Sequence, residues 1–112
     1  MAVSTIKGAT KQSISANNFI TVNSGFTVSN VEFVQQGNLL VGRFIAQRNV
    51  ETGANSTITI GTLTSAYRPR VICGVMGATY RGLINANGEV IVRPYNTVNA
   101  NSAENIAFII AL

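Results

Sequence analysis

The sequence ITIGTLTSAYRPR at residues 58–70 decides how this chain folds. It begins in an alternation of β-branched residues that is typical of a strand, which we expect from Ser56 to Ile60. We expect Gly61 to break this strand and a loop to follow it. The loop closes at Pro69, because the fixed φ and missing N–H of proline end a strand ladder.

The sequence RGLINANGEVIVR at residues 81–93 supplies a hairpin next to that loop. Two apolar runs are joined at Asn87-Gly88, the dipeptide typical of a two-residue turn in which both central residues take φ > 0. The alternation places Val90 and Val92 on the inner face of the sheet. The residues that alternate with them, Glu89, Ile91 and Arg93, point outward.

The same period of two continues through the rest of the chain, and we predict no helix. In residues 26–36 successive side chains alternate between two faces, and each face holds both apolar and polar residues. A bulge near Asn30 would exchange the two faces. Residues 39–48 are apolar on both faces, which indicates a central strand or one that faces a second subunit. We therefore predict an all-β domain over residues 18–112, an antiparallel β-sandwich or jelly-roll-like barrel of about eight strands, after an extended N-terminal arm or lead-in at residues 1–17.

The closing strand, residues 105–112, is apolar on both faces and carries no charge. One apolar face fills a core, whereas the second is an exposed patch unless a partner covers it. We therefore predict a symmetric homo-oligomer with this strand at its interface, whichever face meets the partner. The interface residues are Ile106, Ala107, Phe108, Ile109 and Ile110.

Two motifs carry a resemblance to a known family. Ile60-Gly61-Thr62-Leu63 is followed by Tyr67-Arg68-Pro69, a strand and the hairpin at Asn87-Gly88. This order resembles the C-terminal β-domains of bacteriophage tail-fibre, baseplate and receptor-binding proteins. In those domains an (I/L)-G-x-L-P-x-G-Y-R-P loop precedes an I-x-x-x-G-x-V hairpin and a final apolar strand. The resemblance extends from about Gly25 to Leu112.

The resemblance implies a homotrimer in a virion, made in the host cytoplasm and in contact with other virion proteins. The sequence differs from the family pattern at Thr64 and Ala66, where the family commonly has Pro and Gly. In the loop we expect structural roles: Tyr67 plugs an end of the domain, and Arg68 bonds backbone carbonyl groups or a neighbouring subunit. The loop residues concerned are Gly61, Leu63, Tyr67, Arg68 and Pro69.

Composition restricts the classes of function. Hydrophobic residues make up 46% of the chain, yet no run approaches the ~18 apolar residues of a membrane span, so we expect no membrane insertion. The net charge is +4, but the basic residues are scattered rather than clustered beside aromatic residues. We therefore expect no nucleic-acid partner, because phosphate neutralisation requires a clustered basic surface.

The residue types needed for most catalytic and metal sites are missing. Histidine and aspartate are absent, which excludes Ser-His-Asp systems, histidine-based zinc sites and aspartate-rich calcium loops. Glycoside hydrolysis needs two carboxyl groups roughly 5 to 9.5 Å apart, and the spacing of the glutamates predicts no such pair. The lone Cys73 is interpreted as a buried thiol. We expect no catalytic residue, no metal and no cofactor.

Aromatic and planar polar residues near the hairpin are candidates for ligand binding. They are Tyr80, Arg81, Arg93, Tyr95 and Asn96. A stacking ring beside hydrogen-bond donors suits saccharide hydroxyls or phosphate-bearing cell-wall polymers. In the alternative interpretation, the two tyrosines only cover the sheet and the asparagines only form turns.

The sequence therefore predicts a phage virion protein, a fibre or receptor-binding head domain that attaches to a bacterial surface glycan. Two alternatives from other classes stay open. The first is a purely structural head-fibre, decoration or adaptor protein without a ligand. The second is a glycan-degrading enzyme module.

Overall fold

The computed structural model describes residues 11–77 and 79–112, and this part of the chain is almost entirely β-structure. The strands are β1 (Lys11–Ile14), β2 (Ile20–Val22), β3 (Phe26–Gln36), β4 (Leu39–Arg48), β5 (Ile58–Leu63), β6 (Cys73–Met76), β7 (Tyr80–Ile84), β8 (Glu89–Pro94) and β9 (Ala103–Ala111). Two short helical turns, α1 (Ala16–Phe19) and a 3₁₀ turn (Ser65–Tyr67), connect them. The predicted all-β class is confirmed, with nine strands rather than about eight.

All the strands belong to one antiparallel sheet in the order β1-β3-β4-β9-β6-β7-β8-β5-β2. The two edge strands, β1 and β2, are joined in the chain by the single turn α1. Because so short a connection must reach from one edge to the other, the sheet curls on itself into a barrel-like shape. The side chains on its concave face form the core.

Three phenylalanine rings lie at the centre of that core. Phe19 stacks on Phe108 with ring centroids 5.3 Å apart, and Phe44 is 6.0 Å from Phe19 and 6.1 Å from Phe108. Buried aliphatic side chains from the eight strands β2 to β9 surround them. Each side chain of this size stabilises the fold by roughly 1.5–3 kcal/mol when it is fully buried. Phe19, on α1, thereby ties the connection between the sheet edges to the central strand β9.

The long strand β3 changes face at a bulge. Its pairing with β4 shifts between Ser29 and Glu32, and Asn30 adopts a positive φ of 53°. Val28 before the bulge and Val31 after it are both buried. The predicted bulge near Asn30 is confirmed, and so is the central position of β4, which lies between β3 and β9.

The prediction that Gly61 breaks a strand is wrong, because β5 continues to Leu63. A shift of register against β8 between Thr59 and Gly61 marks a bulge instead. A Cβ atom at residue 61 would lie 2.5 Å from the carbonyl oxygen of Thr21 and 3.0 Å from Cδ1 of Ile20. Glycine at this position therefore allows β2 to lie close against β5.

The hairpin of β7 and β8 is confirmed, but its turn differs from the predicted one. Gly88 has a positive φ of 88°, whereas Asn87 does not. The amide of Gly88 donates to the carbonyl oxygen of Asn85 (2.8 Å), so the turn spans four residues. The Asn85 side chain explains this geometry, since its Oδ1 accepts from the amides of Asn87 and Glu89, both at 3.1 Å.

The structure also differs from the sequence-based expectations for the N-terminal arm and for Cys73. The described part of the predicted arm, residues 11–17, forms β1 and the start of α1, and residues 1–10 lie outside the described part of the chain. Cys73 is partly exposed rather than buried. Val71 and Ile72 precede β6 and are exposed to solvent.

Candidate functional site

The outward face of the β7–β8 hairpin brings together three of the predicted ligand-binding residues. Arg81 and Arg93 are directly opposite each other in the register, and both are exposed. The backbone amide of Tyr95 donates to the carbonyl oxygen of Thr79 (2.9 Å), which continues the ladder by one more pair. The exposed ring of Tyr95 therefore lies on the same face as the two arginines.

Tyr80 does not belong to this exposed group, so the expectation that its ring is free to stack on a ligand is wrong. Its side chain is 2% exposed and packs in the core, and its hydroxyl donates to the carbonyl oxygen of Asn105 (2.8 Å). Burial, and next the negative charge of Glu104, raise the pKa of Tyr80 well above its usual value. The sequence does indicate that Tyr80 is buried, because Tyr80 lies on the same face of its strand as the apolar Ile84.

Asn96 lies in a polar groove that continues from Tyr95 along the loop before β9. The groove has a volume of about 310 Å³, and its walls contain hydroxyl, amide and carboxylate groups beside two aliphatic side chains. It is lined by Thr79, Asn96, Thr97, Val98, Asn99, Ser102, Ala103 and Glu104. Such a lining offers both hydrogen-bond donors and acceptors to a polar ligand.

The carboxylate of Glu104 is fixed at the floor of this groove. One of its oxygens accepts from Nη2 of Arg48, and the other accepts from Oγ1 of Thr79 (3.1 Å). Arg48 is 2% exposed, and its guanidinium carbon lies 5.7 Å from the centre of the Phe26 ring. Because Arg48 and Thr79 hold its two oxygens, the Glu104 carboxylate presents an oriented acceptor to the groove.

Sequence reasoning missed the pair of Arg48 and Glu104. The two residues are 56 positions apart, and neither has a motif around it. The register of β4 with β9 brings them together, since Gln47 pairs with Ala103. Only the opposite charges of two residues next to predicted strand ends could have suggested it.

A second surface, on β4, β9 and the segment before β6, is apolar. Val41 pairs with Ile109 on the outward face of the sheet, and Leu39 pairs with Ala111. The amide of Arg70 donates to the carbonyl oxygen of Ala111 (2.8 Å), which holds the following residues against β9. We define the apolar surface as Leu39, Val41, Val71, Ile72 and Ile109, which are 44% to 66% exposed.

The predicted interface residues divide between the two faces of β9. Ile106, Phe108 and Ile110 are buried in the core of the same chain. Ala107 and Ile109 are exposed, and they line a shallow cavity of about 380 Å³ with Val41 and Gly74. The outward face of β9 is therefore the one that a partner could contact.

The loop that carries the family resemblance makes its contacts within the chain. Tyr67 packs against the rings of Phe19 (5.4 Å between centroids) and Phe33 (5.7 Å). Nε of Arg68 donates to the carbonyl oxygen of Leu63 at 3.0 Å. The remaining residues of this loop, Gly61, Leu63 and Pro69, are buried.

The glutamates in strands each have a partner of their own. The hydrogen bond from Lys11, with the nearby charge of Arg43, lowers the pKa of Glu32. Glu89 accepts from Nδ2 of Asn85 at 2.9 Å. In the described ranges, no group of three or more His, Cys, Asp or Glu residues is placed to hold a metal ion. Nor does residue range 11–77 or 79–112 contain a helix long and apolar enough to cross a membrane.

Comparison with models of known protein families and with curated proteins gives no match.

Proposed function

We propose that this chain is a virion protein of a bacteriophage, and that its β-domain recognises a bacterial surface glycan as a fibre or receptor-binding head. The observation that supports the proposal is the exposed strip on β7 and β8. There Tyr95, Arg81 and Arg93 lie side by side and continue into the polar groove at Asn96 and Glu104.

Each part of the strip has a distinct role in binding. The ring of Tyr95 stacks on the apolar face of a sugar. The side chains of Asn96 and Thr79 exchange hydrogen bonds with its hydroxyl groups, and the carboxylate of Glu104 accepts from them. Hydrogen bonds that involve a charged group are about twice as strong as neutral ones, so Glu104 contributes most to orientation.

The apolar surface supports a homotrimer in the same proposal. Exposed apolar patches of several hundred Å² mark interaction sites, and a stable interface buries about 800 Å² on each partner. Packing the apolar surfaces of three copies around one axis would place three binding strips on a single particle. Affinity then comes from multivalency, because linked weak sites exceed each single affinity by a factor of about 10² to 10⁴.

Binding to isolated bacterial cell walls and to a panel of polysaccharides tests the proposal, with the protein displayed on beads in many copies. We expect the wild-type beads to retain a cell wall or glycan, and Tyr95→Ala to reduce retention about tenfold, since stacking contributes about 1–3 kcal/mol. Thr21→Ala, an exposed change on the edge strand β2, which β5 separates from β8, serves as the control and keeps full retention. Wild-type beads that retain nothing would contradict glycan recognition.

A purely structural role is the second candidate, and the apolar surface by itself favours it. A head-fibre, decoration or adaptor protein needs an interface but no ligand. Virion particles that bind the protein while cell walls do not would select this role. We do not propose a glycan-degrading enzyme, because Glu32, Glu89 and Glu104 are each engaged by a separate partner.

A further inference from the structure

Arg81 and Arg93 form a pair of like charges at directly opposite positions on β7 and β8. Side chains at such positions have Cβ atoms about 4.5 to 5.5 Å apart, and like charges there destabilise a sheet. Both side chains are exposed and point away from the core, since their neighbours Tyr80 and Val92 are buried. The hairpin therefore carries an unfavourable charge arrangement on its outer face.

The other arginines of the described ranges are each engaged. Arg43 donates to Glu32 and Asn105, and Arg48 donates to Glu104. Arg68 and Arg70 donate to backbone carbonyl oxygens. Within the described part of the chain, the side chains of Arg81 and Arg93 make neither an ion pair nor a hydrogen bond.

The hairpin itself does not neutralise them. Its acidic residue, Glu89, lies on β8 two positions before Ile91 and pairs with Thr62 of β5. The Glu89 carboxylate accepts a hydrogen bond from the side chain of Asn85. Between Glu89 and the arginines lies the apolar cross-strand pair of Leu83 and Ile91. The positive charge is therefore local and uncompensated.

The two arginines also border a cleft. It has a volume of about 230 Å³, and its floor is formed by Leu83, Ile91 and the backbone at Gly82. Apolar walls exclude water and strengthen an electrostatic attraction within a cleft. Two guanidinium groups offer planar forks of donors, which match the oxygens of a phosphate or carboxylate group.

We propose that Arg81 and Arg93 form an anion subsite, and that the ligand is an anionic glycan whose phosphodiester or carboxylate group binds there. This inference rests on the proposed function, which it makes more specific. The carboxylate of Glu104 repels an anion, so it sets the direction of the chain. A neutral, hydroxyl-bearing unit lies at Thr79 and Glu104, and the anionic group lies about 7 Å along the strand at the arginines.

The first experiment needs no glycan. Because each substitution relieves a repulsion, Arg81→Gln and Arg93→Gln raise the midpoint of thermal unfolding in buffer of low salt. Inorganic phosphate raises the midpoint of the wild-type chain and loses that effect in both variants. Lys11→Gln removes the same charge on the edge strand β1 and serves as the matched control, which keeps the response to phosphate. Responses to phosphate that are equal in all four proteins would overturn the anion subsite.

The second experiment measures retention of poly(glycerol phosphate), polygalacturonate and dextran by multivalent beads. We expect one or both anionic polymers to bind, with about a tenfold loss for each arginine variant and a decrease as salt rises, and dextran to bind at least tenfold more weakly. Dextran bound as tightly as the anionic polymers would overturn the inference and leave glycan recognition intact. Retention of single-stranded DNA equal to that of the anionic polymers would overturn the assignment to a glycan.

The two proposals fail in different ways. If no polymer and no cell wall is retained, glycan recognition is wrong, and the phosphate response alone then decides whether the anion subsite exists. If glycans are retained and the arginine variants retain them as well as the wild-type chain does, the anion subsite is wrong and glycan recognition stands.

Discussion

At the scale of single residues, the buried charge of Arg48 is the most demanding feature of the molecule. Two of its nitrogens, Nε and Nη1, are buried without a hydrogen-bond partner among the described residues. A buried cation in this state depends on its one carboxylate, because removing either member of a buried pair costs about 3–5 kcal/mol. What this costly arrangement provides is an oriented Glu104 carboxylate at the floor of the groove.

Tyr80 gives a residue-scale prediction of pH dependence. The unfolded chain has a tyrosine pKa of about 10, and burial raises the pKa of Tyr80 in the folded chain. Its contribution to stability is therefore complete below pH 10 or so and is lost as pH rises above that toward the raised pKa. We expect Tyr80→Phe to lower the free energy of unfolding by about 0.5–1.5 kcal/mol at pH 7, through the lost hydrogen bond to Asn105, and to reduce the decline above pH 10.

Urea unfolding from pH 7 to pH 11 measures this effect. Tyr95→Phe removes the same hydroxyl from an exposed ring and is the matched control. If both variants keep the alkaline decline of the wild-type chain, the burial of Tyr80 does not cause it.

At the scale of elements, the fit of β2 against β5 depends on Gly61. A methyl group there meets the carbonyl oxygen of Thr21 and the side chain of Ile20, so β2 must move away. We expect Gly61→Ala to lower the free energy of unfolding by about 1–3 kcal/mol, as overpacking does. We also expect the substitution to increase the rate of amide hydrogen exchange in β2 more than in the central strand β9.

Gly74→Ala is the matched control for this change. It also lies in a strand and lacks a positive φ, but a Cβ atom there meets nothing within 4 Å. Its free energy of unfolding should stay within about 1 kcal/mol of the wild-type value. Equal losses in the two variants would mean that crowding at Gly61 is not the cause.

At the scale of the whole molecule, the apolar surface predicts the oligomeric state. We expect light scattering to give three times the monomer mass of 11.9 kDa. Ile109→Lys introduces a charge at the centre of the apolar surface and should give monomers with an unchanged far-UV circular dichroism spectrum. Thr27→Lys places the same charge on the exposed face of β3, outside the apolar surface, and should keep the trimer.

Two outcomes would contradict this prediction. A wild-type chain that is a stable monomer would rule out the trimer. A trimer that survives Ile109→Lys would mean that a different surface forms the interface.

The sequence by itself determined most of the strands and which way most side chains point, but not β1, α1 or the extension of β5 to Leu63. The alternation of Ile106, Phe108 and Ile110 with Ile109, the bulge near Asn30 and the hairpin around Asn87 are all readable from it. The physical reason is that period two and turn formation are properties of the local backbone. The same period of two places the Tyr80 side chain in the core, whereas its polar hydroxyl had suggested an exposed position.

Only the tertiary structure decided which strands are neighbours. It placed β9 between β4 and β6, joined Arg48 to Glu104, and gathered the apolar surface from three separate segments. It also showed Gly61 inside a bulge rather than at a strand end. These features depend on contacts between residues far apart in the chain, and the total burial of the curled sheet selects them rather than any local pattern.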